Sequence, residues 1–153
     1  MKNGSTLFLK AVIYLIGLAI LGLCIILIGV AGAGNGGMYL PVMMIMLAAA
    51  LPFFYGLFNG LRLLRYIDLN NAFSEQSVHA IRNIKVSAAT ISAIYALSMP
   101  LIAHIADKDD APGVILIGLV FTFAPLVTAV FAAVLEKLLQ SAIDIKSEND
   151  LTV

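Results

Sequence analysis

The chain has 153 residues, 61% of them hydrophobic and only 12% charged, and nine basic and nine acidic side chains cancel to a formal net charge of zero. Soluble domains run at roughly 45–50% apolar and about 25% charged, and a chain this short leaves too much surface in water to hide the excess. An ordinary soluble fold is therefore excluded, the bilayer must solvate most of the chain, and the zero net charge argues against direct nucleic-acid binding.

Residues 1–10 form a short polar leader with Lys2 and Lys10, and residues 11–33 then run without a charge. At about 1.5 Å per residue that run is long enough to cross a hydrocarbon core of about 30 Å. A cleaved signal peptide, which Ala31-Gly32-Ala33 could suggest, has an apolar region of only about 7–15 residues, so a retained span is expected. Gly32-Ala33-Gly34-Asn35-Gly36-Gly37 supplies a tight turn, because glycine reaches positive φ without steric cost. Residues 38–61 form a second apolar run, with Pro41 near its start and Pro52 inside, where a bend is expected.

Residues 62–85, RLLRYIDLNNAFSEQSVHAIRNIK, are the one long polar passage within the apolar chain. Residues 86–106 make a third span with Pro100 towards its end, Asp107 to Gly113 a polar turn, and residues 114–135 a fourth span containing Pro125. The tail, residues 136–153, ends in the polar run KSENDLTV. The leader, central loop and tail carry Lys2, Lys10, Arg62, Arg65, Arg82, Lys85, Lys137 and Lys146, whereas the two hairpin turns carry only Lys108 among three aspartates. By the positive-inside rule both termini and the central loop face the cytoplasm.

Within the loop, Ser74 is a good helix N-cap and Glu75 suits the positive end of a helix dipole. Phe73 and Val78 stand at the spacing of a hydrophobic staple. A helix is expected to start at Ser74 and to lie along the inner membrane surface before or while becoming the third span. In the tail, Leu135, Leu138, Leu139, Ala142 and Ile143 form one apolar face, with Lys137, Gln140 and Asp144 off it. The two halves share a hairpin followed by an amphipathic segment, but the match is only a handful of residues and establishes no repeat.

Four spans in this length, the central Phe73-Ser74-Glu75 followed by Arg82-Asn83-Ile84, and the closing Glu148-Asn149-Asp150-Leu151-Thr152-Val153 resemble the bacterial membrane family catalogued as domain-of-unknown-function family 2975. The resemblance covers nearly the whole chain, with Ala72 where that family commonly has proline. Members are often encoded beside small helix-turn-helix regulators. The resemblance thus implies a bacterial inner-membrane protein with a regulatory link, and it carries no catalytic residues.

The spans hold no ionisable group at their centres, where transporters and pumps usually place one. Glu136 falls at an inner end and is expected to act as an interfacial anchor, or as a partner for Arg62 or Arg65. His104 has no carboxylate or second histidine nearby in sequence and reads as an interfacial side chain. Met43, Met44 and Met46 read as adaptable packing, and Cys24, the single cysteine, as an inert buried thiol. Asn59 lies in Gly56-Leu57-Phe58-Asn59-Gly60, where small residues let helix backbones approach and an amide can bond across the contact. Packing within the bundle is one reading of this segment; an oligomer interface or polar pore lining is the other. Ser87, Thr90, Ser92 and Ser98 are expected to bond carbonyls of their own helix. No P-loop, zinc spacing, Ser-His-Asp set or acidic pair appears.

The expectation is an all-α, integral membrane four-helix bundle with cytoplasmic termini and an amphipathic cytoplasmic loop helix. It is expected to be non-enzymatic, with no cofactor or metal. The expected role is interaction or regulation, through a surface of Arg62, Arg65, Phe73, Ser74, Glu75 and Arg82 offered to a cytoplasmic protein. The alternative is a small transporter or pore, a homo-oligomer joined through the helix-packing residues Gly56, Asn59 and Gly60.

Overall fold

The structure, a computed structural model, describes residues 2–152, and its side chains at residues 4 and 6–151. The Lys2 side chain in the leader, and the Thr152 side chain and Val153 in the closing motif, lie outside what is described. Four helices follow one another: α1 (Lys2–Gly32), α2 (Leu40–Asp68), α3 (Glu75–Lys108) and α4 (Gly113–Thr152), with a single 3-10 turn at Gly37–Tyr39. Each is long and apolar enough to cross a membrane. Pro52, Pro100 and Pro125 each lie within an unbroken helix.

The first three helices stop in the same way. Gly34, Asn70 and Asp110 take positive φ of 77°, 58° and 51°. Their amides and those of the next residues turn back onto the last carbonyls: Asn35 to Val30 at 3.1 Å, Asn71 to Tyr66 at 2.7 Å and Ala111 to Ala106 at 2.9 Å. This left-handed stop satisfies carbonyls that a helix end would otherwise leave open, and glycine, asparagine and aspartate are the residues that tolerate it best. α3 starts on Ser74, whose extended backbone frees its hydroxyl to accept the Ser77 amide.

The expected surface helix is not a separate element. Residues 75–85 are the first turns of α3 and continue directly into the third span. Ser77 and Ala80 are fully buried and Val78 nearly so, while His79 and Arg82 are exposed. Ser77, Val78, Ala80 and Ile81 form one inward face, so this side of the helix is covered by protein.

What is buried and what is exposed are reversed relative to a soluble protein. The interior is built largely from Ala49, Ala50, Ala88, Ala129, Ser87 and Ser92. Leu15, Leu18, Ile25, Phe58, Leu97 and Phe131 point outward, each more than half exposed. In hydrocarbon, large apolar side chains gain nothing by hiding, and small residues let backbones pack closely. A stripe of this size in water would drive aggregation.

The helices pack in chain order, α1 on α2, α2 on α3 and α3 on α4, and among the described residues α1 and α4 make no comparable contact. The bundle is therefore open, and all four helices line one cavity of about 520 Å³ between them. Two side-chain contacts tie its ends. Lys10 and Thr6 of α1 bond Asp68 of α2 at 2.7 and 2.5 Å. At the opposite end the Tyr39 hydroxyl donates to Asp109 at 2.5 Å, linking the two hairpin turns.

Candidate functional site at the basic end

The end holding Arg62, Arg65, Arg82 and Lys85 has the densest polar wiring. It begins at the turn before α3. The Ser74 hydroxyl donates to the Asn71 carbonyl at 2.7 Å, and the Ser77 hydroxyl donates to the same oxygen at 3.1 Å. One carbonyl thus fixes both the cap and the first turn. Phe73, just outside the cap, is 58% exposed and Glu75 is exposed too, so this corner presents an aromatic ring beside a carboxylate.

Glu136 anchors α4 to α3. It accepts from Arg82 Nε at 2.8 Å and from Lys85 Nζ at 2.7 Å, and only 14% of its side chain is exposed. The partners are not Arg62 or Arg65, as sequence reasoning expected: those arginines are on α2, and α4 packs on α3. The Lys85 hydrogen bond, with that of Arg82 adding to it, holds the Glu136 carboxyl below its ordinary range against the opposing effect of burial. One turn further along, Gln140 donates to Glu75 at 3.0 Å.

Arg62 is held by neutral groups. Its guanidinium donates to the Tyr66 hydroxyl at 2.9 Å, touches Asn59 Oδ1 weakly at 3.5 Å, and lies about 6.0 Å from the Phe58 ring centre. Arg65 is exposed on the same helix. Asn59 itself is fully buried: it donates to the Tyr55 carbonyl at 2.8 Å and accepts from Asn83 at 3.0 Å. The helix-packing residues turn inward with it. A methyl group placed on Gly56 would sit 3.4 Å from Ser87 Cβ of α3, and one on Gly60 would sit 3.5 Å from Ile13 of α1. Ser87, Thr90 and Ser98 bond carbonyls of their own helix, as expected. Ser92 departs from that expectation, donating instead to the Thr122 carbonyl of α4 at 2.7 Å, because α4 passes close enough to offer its backbone.

The six residues expected to form a partner surface differ in their surroundings. Arg82 bonds Glu136 and Ser74 caps α3, while Arg65, Phe73, Glu75 and Arg82 are exposed. Sequence reasoning missed Asn83 and Lys85 as partners, which stand 24 and 51 residues from the groups they bind. Separations of that size leave no local signal. Among the described residues no group of three histidine, cysteine, aspartate or glutamate side chains could hold a metal.

The tail adds an element with a face to spare. In α4 beyond residue 135, Glu136 and Gln140 turn to α3, and Leu139 and Ile143 are half-buried beside them. Leu135, Leu138 and Ile145 are each more than half exposed on the other side. The single apolar face read from sequence is therefore split into an inward edge and an outward one.

A model for a protein of unknown function, DUF2975, matches residues 33–153. The chain belongs to this family. A relative within the curated proteins, the uncharacterized membrane protein YoaS of Bacillus subtilis (strain 168), is 49% identical over 160 residues that cover all of both chains. No solved structure matches. Family membership and the four apolar helices together make this a multi-pass membrane protein.

Proposed function

We propose that this DUF2975 member is a non-enzymatic membrane anchor that docks a cytoplasmic protein on the projecting ends of α3 and α4. The observation that carries the reading is the outward edge of α4. This helix has 40 residues, about 60 Å, against a hydrocarbon core of about 30 Å, and its excess length carries Leu135, Leu138 and Ile145 exposed in one row. Such a row flanked by Lys137 and Lys146 suits an amphipathic partner helix. Arg65, Phe73 and Glu75 supply a second contact point at the start of α3. The lysine and arginine distribution supports placing this end, and both termini, in the cytoplasm of a bacterial inner membrane.

The alternative, a transporter or pore made by oligomerisation, takes its support from the Gly56 and Gly60 face. That face lies against Ser87 and Ile13 of the same chain, so the docking reading comes first.

The test is photocrosslinking in intact membranes from positions 73, 75 and 145, followed by mass spectrometry. The expected outcome is one reproducible soluble partner whose yield falls at least fivefold in Ile145→Glu, a surface change that leaves Tm within about 2 °C. Self-crosslinks alone at all three positions would count against docking and favour the oligomer.

A further inference from the structure

The cavity between the four helices reaches from Ile84, next to Lys85, along α3 to Tyr95. Its walls are apolar, and they include Cys24 of α1, Phe53 of α2, Tyr95 of α3 and Phe121 of α4. At about 520 Å³ it falls within the range of small-molecule sites, roughly 300–1,000 Å³. None of its lining residues is ionisable apart from the Tyr95 phenol and the Cys24 thiol. An anionic headgroup or a carboxylate would find no counter-charge there, and an unpaired charge at that depth costs several kcal/mol.

Three hydroxyls reach the lining. Ser87 is spent on the Asn83 carbonyl and Thr128 on the Ala124 carbonyl. Tyr95 is different. The residue is only 8% exposed and its ring stacks on Phe121 at 5.3 Å, yet no described residue accepts or donates a hydrogen bond at its hydroxyl. Among the described residues no fully enclosed polar atom lacks a partner, so that hydroxyl is not sealed in, and Tyr95 lines the cavity. A donor that faces hydrocarbon without a partner costs about 1–3 kcal/mol, because lipid chains offer no acceptor.

Depth narrows the occupant. Tyr95 stands nine residues after Val86 and eleven before Ala106, so about 14 and 17 Å from the two ends of the span. The ester carbonyls of a phospholipid lie at the edge of the roughly 30 Å core, and its acyl chain would bring only methylene groups to this hydroxyl. The partner must instead be a neutral, membrane-soluble molecule that carries an acceptor to mid-membrane. A planar ring matches the stacked Tyr95 and Phe121 and the neighbouring Phe53.

We propose that the cavity binds a neutral isoprenoid lipid of the quinone class, with a ring carbonyl accepting from the Tyr95 hydroxyl and the prenyl chain lying between α1 and α4. This binding is independent of docking at the basic end.

The test is equilibrium binding of a tritiated 2-methyl-1,4-naphthoquinone bearing a geranyl chain, with the full chain in nanodiscs of saturated phosphatidylcholine. Empty nanodiscs set the background from partitioning. Saturable binding is expected, weakened about fivefold by Tyr95→Phe, the value of one hydrogen bond, and weakened further by Ala124→Leu, which puts a larger side chain into the cavity wall. Ala124→Val, a smaller filling, takes its place if Ala124→Leu does not elute as a single folded species. No saturable binding, or an affinity that Tyr95→Phe changes less than twofold, would overturn the proposal. So would displacement of the probe by added phosphatidylglycerol as readily as by unlabelled quinone, since the cavity would then be a plain acyl-chain groove.

Discussion

Asn83 of α3 donates through Nδ2 to Oδ1 of Asn59 on α2 at 3.0 Å, and Asn59 is fully buried. In an interior of alanines and serines this amide pair is the most polar contact between these two helices, and it fixes their register. Replacing either residue leaves the other's amide without this partner, in a buried site for Asn59 and a half-buried one for Asn83. Asn59→Leu and Asn83→Leu are each expected to cost about 1–3 kcal/mol. In the double variant both amides are gone, so the total should fall short of the sum by roughly 0.5–1.5 kcal/mol. Detergent-induced unfolding followed by circular dichroism reads all four corners of the cycle; strict additivity would rule the contact out as an energetic unit.

The Gly56 and Gly60 pair leads to a different kind of prediction. A Cβ at Gly56 would meet Ser87 Cβ at 3.4 Å, so alanine needs only a shift of a few tenths of an ångström, whereas valine has no room. Gly56→Ala should cost little and Gly56→Val about 1–3 kcal/mol, the usual penalty for overpacking. Because the face is internal, the oligomeric state should not change. Light scattering in mild detergent beside thermal unfolding separates the two effects, and a smaller oligomer with unchanged Tm would revive the pore reading.

Acidity should act through the ends of the helices. The hydrogen bonds from Lys10 and Thr6 hold Asp68 below its ordinary pKa of 3.8, and those from Lys85 and Arg82 hold Glu136 below 4.5. A carboxyl depressed in the folded state binds fewer protons there than in the unfolded chain. Its contribution is thus complete above the unfolded value and is lost as pH falls through the folded one. Thermal stability should therefore be level from pH 7 to about 5 and decline below about 4.5. Glu136→Gln should lower stability at pH 7 by about 1 kcal/mol, a small figure because Arg82 is half exposed, and should flatten the acid decline. An unaltered acid profile in Glu136→Gln would show that this carboxyl does not take part.

How much of this was legible beforehand follows from the range of each interaction. Helix stops at Gly34, Asn70 and Asp110 and the cap at Ser74 are decided within a few residues, and three of the four stood in recognisable polar or glycine-rich turns. The helix expected from Ser74 forms and runs straight into the third span, but polarity on one side of it does not say whether the other side meets lipid or protein. Likewise Glu136 could be seen to need a cation, but the choice among Arg62, Arg65, Arg82 and Lys85 depended on which helix α4 lies against.

The sequence by itself determined the solvent, the number of helices and the charge asymmetry between the two ends, because hydropathy and charge act residue by residue along the chain. Only the tertiary structure decided that α1 and α4 stay apart, that Gly56 and Gly60 face inward, and that Tyr95 lines a cavity with its hydroxyl unmet. The physical reason is that lipid satisfies every apolar face equally well. Which faces meet each other is then left to close packing of small side chains and a few hydrogen bonds between residues far apart in the chain.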